Sequence, residues 1–214
     1  MSRRRSGAIT AALALMALGS PLIAGCGAQT TIAEVVSNQA AESDSAYRRA
    51  IKDEIAELTK SIGINPQDFD AYNNRSNAKF RSGDYQGAIS DYTKAIEISP
   101  QYALAYANRA LAKYYLKDYQ GAIFDNSRAI EVNPQYALAY TNRGSAKDEL
   151  GDLKGAIADY NKAIQIDQQY ADAYFNRGNA KGISGDNEGA CRDMKQAAKL
   201  GDEDAAALVR KNCR

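Results

Sequence analysis

Three kinds of side chain in this sequence stand at spacings that could do chemistry. An Asn-Arg pair returns every 34 residues, at Asn74-Arg75, Asn108-Arg109, Asn142-Arg143 and Asn176-Arg177. Sixteen residues after each Arg stands an acid: Asp91, Asp125, Asp159 and Asp193. An Arg fork meets a carboxylate in two parallel hydrogen bonds and tolerates partial burial, so this spacing predicts ion pairs tying one element to the next. An amide both donates and accepts. That suits the alternating N–H and C=O groups of an extended peptide; alternatively, Asn fills a repeated helix position and pairs with the next unit's helix. The third kind is cysteine, at Cys26, Cys191 and Cys213. The chain has no His, which removes the commonest general base and metal ligand together. No nucleophile–base pair, metal cluster or phosphate loop stands out, so no catalytic residue, metal, cofactor or small-molecule substrate is expected.

The elements that must position these groups repeat with the same period. Four units follow one another at 69–102, 103–136, 137–170 and 171–204. Each holds a helical pattern, a turn and a second helical pattern. The turns read SGDYQGA (82–88), LKDYQGA (116–122), LGDLKGA (150–156) and SGDNEGA (184–190). Gly83, Gly151 and Gly185 can close the first helix in the left-handed conformation. The Asp that follows, at 84, 118, 152 and 186, suits the N-cap of the second. SPQY at 99–102 and NPQY at 133–136 end a unit, because Pro resists continuing a helix.

On these residues the sequence resembles the tetratricopeptide repeat family. In the second unit Tyr106, Ala110, Ala122, Ala129 and Pro134 stand at the family's aromatic, small and Pro positions. The third unit has Gln168 in place of Pro; the fourth has Asp202 there, and Met194 where the others carry Tyr92, Asn126 and Tyr160. A degenerate last unit is expected at the end of an array. The resemblance implies an all-α fold: a right-handed α-solenoid of tetratricopeptide helix pairs, with a concave groove lined mainly by the first helix of each pair. One helix pair cannot bury its own apolar stripe, so Ala at the crossings and Ile89, Ile96, Ile123, Ile130, Ile157 and Ile164 at the seams are expected to hold neighbours together. Residues 43–68 read as an N-terminal capping helix or half repeat, with Ile51, Ile55, Leu58 and Ile62 on one face. Residues 205–214 read as a C-terminal capping helix.

The selective positions are those that vary on this uniform scaffold. Leu104, Leu111, Tyr114, Tyr115 and Leu138 would make an apolar, aromatic centre of the groove, with Thr141 beside it and Asp148 and Glu149 adding negative charge. The Asn row at 74, 108, 142 and 176 is similar to the asparagine ladder by which O-linked N-acetylglucosamine transferases grip a substrate backbone. Some family members grip chaperone C-termini with a Lys/Asn/Arg clamp. Here Asn73 and Leu138 stand where that clamp needs Lys, and Asn142 where it needs a cation, which argues against that ligand class.

The first residues carry a different message. A basic start, an apolar stretch from Ala8 to Leu18 and small residues before Cys26 make a secretory signal layout. The stretch is broken by Gly19, Ser20 and Pro21, and is short for a span of about 20 apolar residues. Ile23-Ala24-Gly25-Cys26 resembles the lipobox of bacterial lipoproteins. The resemblance implies removal of a signal peptide at 1–25 and acylation of Cys26, with residues 26–42 as a lipidated tether; Gly27 after the Cys favours the outer membrane. An ordinary signal peptide with an incidental Cys is the alternative. Net charge is +1 over the chain, and −2 once Arg3, Arg4 and Arg5 leave, so no electrostatic footprint for nucleic acid remains. Cys191 and Cys213 come level if the last two helices run antiparallel, and an exported protein meets an oxidising compartment. A disulfide between them is expected, two buried thiols being the alternative.

Together these features predict an envelope-anchored interaction scaffold with a protein or peptide partner, held to the membrane by an N-terminal lipid. The alternatives are an assembly factor or adaptor lipoprotein of pilus, outer-membrane or cell-wall machinery, and a self-associating structural protein.

Overall fold

The computed structural model describes the backbone of residues 32–213 and the side chains of residues 44–213. The signal peptide and lipidated Cys26 expected from the sequence lie outside the described residues. The helices are α1 (Ile32–Ile64), α2 (Phe69–Arg81), α3 (Tyr85–Ile98), α4 (Ala103–Tyr115), α5 (Tyr119–Val132), α6 (Ala137–Glu149), α7 (Leu153–Ile166), α8 (Ala171–Ile183), α9 (Asn187–Lys199) and α10 (Glu203–Asn212). No described helix is long and apolar enough to cross a membrane.

The pairs α2–α3, α4–α5, α6–α7 and α8–α9 are the repeating units, and each second helix packs on the next first helix. Successive first helices also touch, α2 on α4, α4 on α6 and α6 on α8, while no second helix makes a comparable contact with the next second helix. The stack therefore curves with α2, α4, α6 and α8 on its inner side. The core is a row of small clusters between neighbours. Ala95, Ile96, Ala105, Tyr106 and Ala129 form one; Tyr140, Ala163 and Ala173, with Ile130 and Ile164 against them, form another. The Ala residues at these crossings are fully buried, and each missing side chain lets two helices approach. A solenoid built this way owes its stability to nearest neighbours.

The second helix of each pair starts at an acid. Asp84, Asp118, Asp152 and Asp186 each accept the backbone N–H three residues on, at 2.8–2.9 Å, and each such cap stabilises its helix by about 1 kcal/mol. Gly83, Gly151, Gly185 and Gly201 close helices at positive φ. The same turn in the second unit is made by Lys117 at φ 64°, a conformation that costs a residue with a Cβ about 1–2 kcal/mol. Lys117→Gly is therefore expected to raise the unfolding free energy by about 1 kcal/mol, read as a higher urea midpoint with an unchanged slope.

A helix stands on either side of the four pairs, α1 before them and α10 after them. Ile51 and Ile62 of α1 are buried, and Thr59 receives Arg75 Nη1 at 3.1 Å, as Thr93 of α3 receives Arg109 Nη1 at 3.0 Å. The C-terminal half of α1 thus stands to α2 as α3 stands to α4. At its other end the helix starts at Ile32, inside the stretch read as a tether. That stretch lacks amphipathic periodicity, yet from 32 to 42 it holds Ala33, Glu34, Gln39, Ala40, Ala41 and Glu42 and is free of Gly and Pro, so intrinsic propensity allows a helix there. At the C-terminus Leu208 and Val209 of α10 cover Met194, Ala197 and Ala205.

Candidate functional site

The Arg–Asp spacing resolves into one motif built four times. Arg75 places Nε on Asp91 Oδ2 and Nη2 on Asp91 Oδ1, both at 2.7 Å. Arg109 does the same to Asp125 at 2.8 and 2.7 Å, Arg143 to Asp159 at 2.9 and 2.7 Å, and Arg177 to Asp193 at 2.8 and 2.6 Å. Two partners in each motif escape the sequence reading. A Lys four residues after the Arg adds a second cation: Lys79, Lys113, Lys147 and Lys181 stand 2.7–2.8 Å from the same Asp. The remaining guanidinium nitrogen reaches back to the preceding second helix, to Ser127 at 3.1 Å and Asn161 at 2.7 Å in the later units. Each Arg also lies over the Tyr three residues before it, at 5.4–5.7 Å from the ring centre. Both missed sets recur at 34 residues and were detectable by that period alone.

These carboxylates are structural. Burial alone would raise the pKa of Asp91 and Asp193, but hydrogen bonds and charge from Arg75 with Lys79, and from Arg177 with Lys181, hold both below the ordinary 3.8. A carboxylate depressed in this way contributes stability that is complete above its unfolded pKa and is lost as pH falls through the folded value. Urea midpoints are thus expected to hold from neutral pH to about pH 4 and to fall below it. A midpoint unchanged at about pH 2.5 would show that these pairs do not carry stability.

The concave face carries the other candidates. Asn74 is exposed; Asn108, Asn142 and Asn176 are half-buried. Asn108 Nδ2 lies 3.3 Å from Asn77 Oδ1 and 3.5 Å from Asn73 Oδ1 on the preceding first helix, while Tyr92 donates its hydroxyl to Asn77 Oδ1 at 2.6 Å. That amide is thus partly engaged by the preceding unit. Asn142 and Asn176 make no side-chain hydrogen bond among the described residues. Thr141 does not belong with them: it is 3 % exposed and its hydroxyl donates to Ala137 O at 3.2 Å. Its counterparts Asn73 and Ala107 are buried too, because this position lies in the seam where one first helix presses on the next.

The aromatic centre is larger than expected. Tyr115, 44 % exposed, stacks on Tyr85 with ring centres 5.1 Å apart and meets Phe80 edge-on at 5.3 Å. Tyr114 packs edge-on against Tyr115 and Tyr119. Tyr85 and Tyr119 come from the first turns of α3 and α5, which fold back beside the ends of α2 and α4; neither was predicted. Leu111 is half-buried on the same helix face. Tyr114 and Tyr119 both donate to Glu149, at 3.0 and 3.2 Å. Burial, then the Glu149 carboxylate, push the Tyr114 hydroxyl well above its ordinary pKa. Burial, then the Glu149 charge, raise Asp148.

At the C-terminal end the sulfurs of Cys191 and Cys213 are joined, with Cα atoms 5.5 Å apart.

Comparison with known proteins places these features in a family. The sequence profile described as TPR repeat matches residues 76–117 and 149–182. None of the curated proteins compared matches the chain. Among solved structures, a crystal structure of MamA is 26 % identical, with a TM-score of 0.65, covering 75 % of this chain and 95 % of that one. The first TPR of Spaghetti (RPAP3), bound to HSP90 peptide SRMEEVD, is 28 % identical with a TM-score of 0.54, covering 56 % of this chain and 94 % of that one. The second TPR domain of human RPAP3, in complex with HSP70 peptide SGPTIEEVD, is 31 % identical with a TM-score of 0.50, covering 51 % of this chain and 92 % of that one.

Proposed function

The chain belongs to the tetratricopeptide repeat family, and from that premise we propose that it is an envelope-anchored scaffold whose concave face holds an extended segment of a partner protein. One observation carries the proposal: the exposed Tyr115 ring and the amides of Asn142 and Asn176, which make no side-chain hydrogen bond among the described residues, stand on the inner helices of a stack whose repeated Arg, Lys and Asp groups are engaged within the fold. A peptide laid there can exchange backbone hydrogen bonds with the amides while its side chains pack on the rings. Similar structures that hold peptides support the assignment. The peptides they hold end in EEVD, and an acidic tail needs free cations. Here Lys79, Lys113, Lys147 and Lys181 close on Asp side chains, so the segment bound differs in chemistry from those tails. Anchoring rests on the lipobox at Ile23–Cys26; Cys26→Ser is expected to abolish acyl labelling and release the protein from membranes, and unchanged attachment would refute the anchor.

The test of the groove is site-specific photo-crosslinking in cells. A photoreactive residue replacing Tyr115 is expected to capture a partner through one contiguous peptide segment. The same probe replacing Phe124, which is 62 % exposed on a second helix, should not capture that segment. Capture of that segment from position 124 and not from 115 would place the binding surface on the other side of the stack.

A further inference from the structure

Charge on the inner helices is distributed unevenly. Every Lys and Arg of α2, α4, α6 and α8 is paired with a carboxylate. In each unit the Arg and Lys converge on one Asp, and Arg81 closes on Glu54 at 2.6 Å. No cation on these helices is left for a ligand. The carboxylates of the same helices are not balanced in this way. Asp148 and Glu149, consecutive in the last turn of α6, have no cationic partner among the described residues. Glu149 accepts two tyrosine hydroxyls, which orient it and leave lone pairs of the carboxylate open. Asp148 is half-buried beside it.

Two uncompensated carboxylates therefore stand at the hydroxyl end of Tyr114, whose ring packs edge-on against Tyr115. A cationic head is attracted both by carboxylate charge and by the face of an aromatic ring, while the aliphatic stem of Lys or Arg packs along apolar surface. Acidic side chains meet repulsion in the same place, and an apolar segment would leave Asp148 further desolvated without a partner. We propose that the groove selects a peptide segment carrying Arg or Lys, its cationic head seated at Asp148 and Glu149 and its stem on the Tyr114–Tyr115 surface. This rests on the peptide-binding groove proposed above and names the chemistry of its occupant.

The experiment is selection of a displayed library of random ten-residue peptides against the purified protein, followed by anisotropy titration of the synthetic winners. Arg or Lys should be enriched, and the winners should bind about tenfold or more weakly to the Asp148→Asn, Glu149→Gln double variant. Raising salt from about 0.05 to 0.5 M should weaken binding to the unaltered protein as well, which keeps the test informative if the variant folds poorly. Replacing the enriched Lys by norleucine should have the effect of the double variant. Winners that lack cations, bind the double variant equally and are lost on Tyr115→Ala would overturn the charge selection and leave the groove intact. A library with no enrichment over a Tyr114→Ala, Tyr115→Ala control would overturn the groove itself, and with it this proposal.

Discussion

Replacing Arg109 by Ala is expected to destabilise the protein by about 3–5 kcal/mol, the cost of leaving a buried carboxylate without its main partner. Asp125 is wholly buried and the Arg109 side chain is 13 % exposed, so neither solvent nor a mobile neighbour can replace the fork. Lys113 remains, 2.7 Å from Asp125 Oδ2, but a single ammonium cannot satisfy both oxygens with the planar geometry of a guanidinium. The loss extends beyond one unit, because Arg109 also donates to Thr93 on the preceding second helix and lies over Tyr106. Arg109→Lys should recover little of it, since a point charge cannot span Asp125 and Thr93 together. Arg109→Met combined with Asp125→Leu should cost less than Arg109→Ala alone, because the pair is removed without stranding a charge. Guanidinium unfolding of the three variants separates these effects. An Arg109→Ala variant within about 1 kcal/mol of the unaltered protein would mean that the fork behaves like a surface ion pair.

The repetition that makes this motif legible also explains where inference from sequence fails. Positions that recur in all units, such as Tyr106, Ala110 and the Arg–Asp pairs, betray their role because one packing solution is reused, and the period supplies the comparison that a single sequence otherwise lacks. The Asn row recurs just as strictly but divides in use. Asn108 leans on Asn77 because the first unit happens to offer an amide there, where the second and third units offer Leu111 and Ser145. Variable positions were read as ligand-facing, and Thr141 shows the flaw: variation at a seam can equally reflect how two helices are spaced. Tyr85 and Tyr119 were missed because their contact with Phe80 and Tyr114 depends on how the turn between helices folds back. Helical periodicity assigns a face within one helix and does not say which turn of the next helix overlies it. The charge asymmetry of the groove was half visible: Asp148 and Glu149 could be read as negative, but only the three-dimensional pairing of Lys79, Lys113, Lys147 and Lys181 with Asp shows that no cation of the inner helices offsets them.

Joining Cys191 to Cys213 closes a loop with a sequence separation of 22 residues, and in the chain-entropy account such a link contributes about 3 kcal/mol by restricting the unfolded ensemble. Its position decides what that stabilisation protects. In a nearest-neighbour solenoid the terminal helix has one side of support, and α10 is held through Ala205, Leu208 and Val209 packed against Met194 and Ala197. Opening it exposes the apolar face of α9 that α10 covers. Cys191→Ser with Cys213→Ser is therefore expected to fray α10 first. Amide exchange should quicken across 203–212 and then 187–199, while 103–149 keeps its protection, and the global unfolding free energy should fall by about 3 kcal/mol. Reducing agent should reproduce the shift in the unaltered protein and have no effect on the double variant. Mass spectrometry of the unreduced protein should find neither Cys191 nor Cys213 open to alkylation. Alkylation of both would sink the staple, and the cap would then rest on its few apolar contacts alone.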